Sequence, residues 1–111
     1  MNKNKVNSII KYLESKKCYN IDYYDLKNKN FIFDQCVVAT CLNARHLNSI
    51  KDELEDFLSQ KNVSIHHAEG KNESGWIIID CNEIIFHLFT EDERNRIKLD
   101  ELFNYSFENV K

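Results

Sequence analysis

The stretch EGKNESGWIIIDCNEIIFHLF, Glu69 to Phe89, holds both glycines and the single tryptophan of the chain. Its two apolar runs are parted by Asp80, Cys81, Asn82 and Glu83, which is the spacing of a strand, a tight turn and a second strand. It therefore predicts a β-hairpin with strands Trp76–Asp80 and Ile84–Phe89. Trp76 stands at its entrance, either as a core plug or as an exposed aromatic anchor for a partner.

Around this hairpin, 111 residues suffice for one small domain and not for a second. With 42% hydrophobic and 30% charged residues the class is soluble and globular. No apolar run reaches the roughly 20 residues of a membrane span, Met1–Lys5 lead into no signal-peptide core, and an arginine-rich presequence is missing; the expected address is the cytoplasm. A net charge of -3 argues against a protein that captures nucleic acid by its own field and for a basic protein partner. Cys18, Cys36, Cys41 and Cys81 form no C-x-x-C pair, so buried, reduced thiols are expected.

Taken in order, Val6, Ile9, Ile10 and Leu13 repeat with a helical period over Lys3–Lys17. Tyr19, Ile21 and Tyr23 alternate with polar residues in a half-buried strand over Tyr19–Leu26. Lys27-Asn28-Lys29-Asn30 is a turn in which Asn supplies the positive φ that glycine usually would. Phe31–Cys41 reads as a strand whose run Cys36–Thr40 is covered on both faces, with Asp34 as a turn carboxylate. Leu47, Ile50, Leu54, Phe57 and Leu58 stripe a long helix capped by Asn43 and ending near Gln60. Val63–His67 is a short strand. Beyond the hairpin, Thr90 and Glu93 fit a capping box, Leu99, Leu102 and Phe103 give a last apolar stripe, and residues 105–111 form a partly ordered tail after a domain over residues 1–104.

This order predicts an α/β (α+β) fold: a mixed sheet of about five strands flanked by helices, with at least one parallel pair beside the hairpin.

Catalytic patterns do not emerge from the residues. The four histidines fall on separate elements or on opposite faces of one strand, the glycines precede a strand rather than a helix, and neither a metal nor a cofactor is expected. Asp22 with Asp25, or Asp80 with Glu83, could pair around a divalent ion, but strand-end and turn roles fit their neighbours better. A binding module is the preferred class.

Several segments together carry a specific resemblance: Asp25-Leu26; Asp34 with Val37–Thr40; Asn43-x-Arg45-His46; Ile50; Glu69-Gly70; Gly75–Asp80; Ile84-Ile85-x-His87-x-Phe89; and Arg94. From about Tyr19 to Phe103 the chain resembles the ribosomal silencing factor family (RsfS, or Iojap). The resemblance implies a nucleotidyltransferase-like topology without that class's catalytic signature. It also implies a non-enzymatic factor that binds the large ribosomal subunit through its ribosomal protein fourteen and sterically blocks small-subunit joining under nutrient limitation. Trp76, Cys81 and Ile97 map to its partner-facing patch, with Glu69, Asp80 and Arg94 as polar neighbours. A large-subunit assembly factor and a residual nucleotidyltransferase-like enzyme are the other readings, and homodimerisation off the ribosome is compatible with all three. Where the family has glycine this chain has Cys41 and Asn82, and Ile97 and Phe103 replace its Tyr and Trp.

Overall fold

In the computed structural model, which describes residues 1–70 and 74–108, the hairpin forms as β4 (Trp76–Asp80) and β5 (Ile84–Thr90). Its turn closes through the Cys81 N–H donating to the Ile84 carbonyl at 2.9 Å, and through Asn82, which sits at φ 70° with its N–H on Asp80 Oδ1. Asn is the residue besides glycine that tolerates this left-handed region best, because its short amide side chain can bond locally. Asn28 and Asn30 take the same conformation in the turn after the first strand, at φ 68° and 66°, as the sequence predicts.

The remaining elements are α1 (Lys3–Ser15), β1 (Tyr19–Asp25), β2 (Gln35–Cys41), α2 (Ala44–Gln60), β3 (His67–Glu69), α3 (Glu91–Ile97) and α4 (Leu99–Glu108). The five strands form one mixed sheet in the order β1-β2-β5-β4-β3. A parallel pair is present as expected, but it joins β2 to the second hairpin strand β5 and not to the strand that follows α2; the other neighbours are antiparallel. Because β5 returns beside β2, the crossover through α2 carries the chain past two strand positions before β3 begins. β2 and β5 are buried almost throughout, as interior strands covered on both faces must be.

Helices α1 and α2 cover one face. Val6, Ile9 and Leu13 from α1 and Leu47, Ile50, Leu54 and Leu58 from α2 meet Val37, Ala39, Ile77, Ile79, Phe86 and Leu88. Tyr12 and Phe57 stack at 4.0 Å between the helices. On the opposite face Cys36, Val38, Ile85 and Phe89 form a smaller cluster closed by Leu26 and Phe103.

Four local expectations change. The third strand lies at His67–Glu69 instead of Val63–His67, because β4 ends at Asp80, which pairs with His67 and accepts the His66 N–H at its carbonyl, so the ladder has no partner for the residues before His66. Val63 is buried through packing alone. β2 starts at Gln35 instead of Phe31, whose side chain, with that of Phe33, turns onto the smaller cluster. Thr90 occupies the N-cap of α3 without a side-chain cap bond, and Glu93 pairs with Arg96 at 2.8 and 2.9 Å instead of closing a capping box. Finally, residues 105–108 continue α4 where a tail is expected.

Candidate functional site

The second face of the sheet is covered unevenly, and this locates the site. β4 shows strict alternation: Ile77 and Ile79 are fully buried against α1 and α2, while Trp76, Ile78 and Asp80 are only half-buried. Glu69 pairs with Ile78 and His67 with Asp80, so both exposed side chains stand on the Trp76 face of the sheet. The result is an apolar strip, Trp76 and Ile78, bordered by carboxylates of Glu69 and Asp80.

Trp76 is both packed and presented. Its ring lies 5.2 Å from that of Phe89 at an interplanar angle of 23°, and its Nε1–H donates to His87 Nδ1 at 3.0 Å. An Nδ1 that accepts requires His87 to be neutral with its proton on Nε2. Burial enforces this, pushing the imidazole pKa down to about 4. Gly70 and Gly75 permit the close approach at the strand entrance. A Cβ on Gly70 would lie 2.7 Å from the Trp76 carbonyl oxygen, one on Gly75 would lie 2.8 Å from Thr90 Oγ1, and both residues have positive φ.

Arg94 plays a different part. Its Nε and Nη2 grip both carboxylate oxygens of Asp100 at 3.0 and 2.8 Å. Nη2 also donates to Asp22 at 2.6 Å, and Nη1 donates to Thr40 Oγ1 at 2.9 Å and to the Asn20 carbonyl. All five N–H donors are thus engaged, and the group welds α3 and α4 to β1 and β2 at the base of an open cleft lined by Asn20, Asp22, Thr40, Glu91 and Lys98. Burial would raise the Asp100 carboxyl, but the bonds from Arg94 and Tyr24 outweigh it and hold the group below the usual carboxylate range.

Of the six residues singled out from sequence, Trp76, Asp80 and Glu69 therefore share a face. Ile97 packs half-buried against the smaller cluster. Cys81 lies in the larger cluster, on the α1 and α2 side, and burial pushes its thiol up to about 12. Arg94 is an internal clamp. The acidic pairs serve local ends: Asp22 binds Arg94, Asp25 and Asp80 accept backbone N–H groups of Lys27 and Asn82, and Glu83 meets the Met1 ammonium. Sequence reasoning missed Ile78, the half-buried step between two buried isoleucines, and Asp100. An unbroken III run hides the first, and a left-handed turn at Lys98 (φ 55°) makes the second reach back to Arg94. His46 also gains a role, accepting the Leu42 N–H at Nδ1 (2.9 Å) and reaching the Lys16 carbonyl from Nε2 (2.7 Å), which pins the start of α2 to the end of α1.

The model of the family described as ribosomal silencing factor during starvation, RsfS, matches residues 1–111. The chain belongs to the RsfS family. It is similar to the ribosomal silencing factor RsfS of Haemophilus influenzae, with 26% identity over 98 residues that span 88% of this chain and 96% of the relative. The RsfS of Bacillus subtilis is 21% identical over 81% of this chain and 76% of its own length. The fold is shared with a Chromobacterium violaceum protein of known crystal structure, at a TM-score of 0.83 and 22% identity over 94% of this chain and 88% of that one.

Proposed function

We propose that this chain is a ribosome-associated silencing factor that acts by steric occlusion, docking its Trp76–Ile78 strip on ribosomal protein fourteen of the large subunit and so blocking small-subunit joining. The observation that carries the reading is the family match over residues 1–111. The geometry supports it: an incompletely covered apolar strip beside Glu69 and Asp80 suits a basic protein surface, where a desolvated aromatic anchors and carboxylates steer. Ile97, through the packing of α3, and Arg94, which ties α3 and α4 to β1 and β2, support the strip from its own face, while Cys81 supports it from the opposite face through the hairpin turn. The net charge of -3 favours protein over RNA as the direct contact.

The test is co-sedimentation of the purified chain with free large subunits at near-physiological salt, together with the fraction of joined ribosomes. Binding with a fall in joined ribosomes is expected; absence of co-sedimentation overturns the proposal. Trp76→Ala should weaken binding at least about tenfold while the chain still melts cooperatively.

A further inference from the structure

Two of the four cysteines meet. Cys18, between α1 and β1, and Cys41, the last residue of β2, place their Sγ atoms 3.9 Å apart inside the larger cluster, at 5% and 0% exposure. Their positions are not incidental. Tyr19 pairs with Thr40 in the antiparallel β1–β2 ladder, so Cys18 and Cys41 are the next opposed positions. Directly opposed residues of antiparallel strands have Cα atoms about 4.5–5.5 Å apart, inside the span of roughly 4.4–6.8 Å that a disulfide bridges. Closing the sulfurs to the roughly 2.05 Å of an S–S bond then needs side-chain rotation and no displacement of strands.

We propose that Cys18 and Cys41 form a reversible redox pair, closed to a disulfide by a small hydroperoxide, that staples the start of β1 to the end of β2. Cys18 is the attacking sulfur. The hydrogen bond with Cys41 lowers its thiol pKa against the opposing effect of burial, while Cys41 is pushed up. The Cys18 thiolate attacks the peroxide oxygen, which breaks the O–O bond, leaves a sulfenic acid on Cys18 and releases water once the departing oxygen is protonated. The Cys41 sulfur then attacks the Cys18 sulfur; the S–S bond forms and the sulfenic oxygen leaves as a second water with the Cys41 proton. Two thiols lose two electrons and two protons, and hydrogen peroxide is reduced to two waters. A bulky disulfide oxidant would have to seat its own sulfur in a site with almost no exposed surface, which is why a small oxidant is specified. The staple bears on the functional region because Arg94 rests on the Asn20 carbonyl and Thr40 Oγ1, two residues after one cysteine and one residue before the other.

The test treats the reduced full-length chain with hydrogen peroxide, caps remaining thiols and reads intact mass, peptide map and melting temperature. The expected result is loss of two hydrogens in a single Cys18–Cys41 crosslink, formed at least about tenfold faster than any change at Cys36 or Cys81, whose thiols burial pushes up to about 12. The melting temperature should rise by about 5 °C or more and fall back on adding dithiothreitol. Cys18→Ala and Cys41→Ala should each abolish the two-hydrogen loss, and Cys41→Ala should leave Cys18 to gain oxygen instead. Should either variant fail to fold, the wild-type peptide map still decides. Stepwise oxygen addition without a crosslink, a crosslink through Cys36 or Cys81, or no change under peroxide that oxidises the denatured chain would overturn the proposal.

Discussion

The two faces of β4 are made of near-identical residues and do opposite work. Ile77 and Ile79 disappear under two helices, whereas Ile78, one step away, stays half-open beside Trp76. A strand alternates its side chains whatever their type, so an unbroken WIII run says that both faces are apolar and nothing about which one the rest of the chain covers. Coverage is decided by how far the helices reach: α2 packs against β4 as well as β2 and β5, while α3 and α4 close over the β1, β2 and β5 side. Stability is concentrated on one face, and the surface available to a partner on the other.

Truncation should expose this difference most strongly. Phe86→Ala, which empties a fully buried site on the helix-covered face, should cost about 3–5 kcal/mol, a large share of the stability of a domain this size. Ile78→Ala on the open face should cost about 1 kcal/mol or less and register instead in ribosome co-sedimentation. Urea midpoints of the two variants measure the contrast; equal losses would mean that the second face is as well packed as the first.

Next in size is the clamp that lies beside the open strip on the same face. Arg94→Met keeps the aliphatic stem but leaves Asp100, half-buried and bonded to the Tyr24 hydroxyl at 2.6 Å, without its counter-ion, at a cost of about 2–3 kcal/mol. Asp100→Asn should cost less, because the amide oxygen can still accept one of the Arg94 bonds. It should also change the acid limb: a carboxyl held below its unfolded value stabilises the fold above that value, and the contribution is lost as pH falls through the folded pKa. The wild type should therefore lose stability below about pH 4 more steeply than the Asn variant.

How far these features could be read in advance depends on the range of the signal. The hairpin, the long helix and the Asn-supplied turns are set by local periodicity and backbone preference, and they stand as read. The strand at His67–Glu69 was displaced because its limits come from the register of β4 and not from the Val63/Ile65 alternation. Glu69, Trp76 and Asp80 share a face because they lie on one hairpin and its flanking strand. Cys81 and Arg94 were not separable from them by sequence: one turns to the covered face through a two-residue-period rule applied across a turn, and the other is consumed by partners 54 to 74 positions away in the chain.

The smallest effect concerns a bond within the open face, Trp76 Nε1–H to His87. His87 titrates near 6.5 when unfolded and at about 4 when folded, so the unfolded chain binds a proton first as pH drops. Stability is then fully present above about pH 6.5 and declines toward pH 4, by about 1–2 kcal/mol between pH 7 and pH 5. His87→Gln removes this titration and keeps an acceptor for the indole. Its stability should be flat across that interval, where the wild type slopes, and the difference in slope isolates His87 from the Asp100 limb at lower pH. If the slopes coincide, His87 takes up its proton in the folded chain without penalty, and the Trp76 ring owes its orientation to Phe89 rather than to the imidazole.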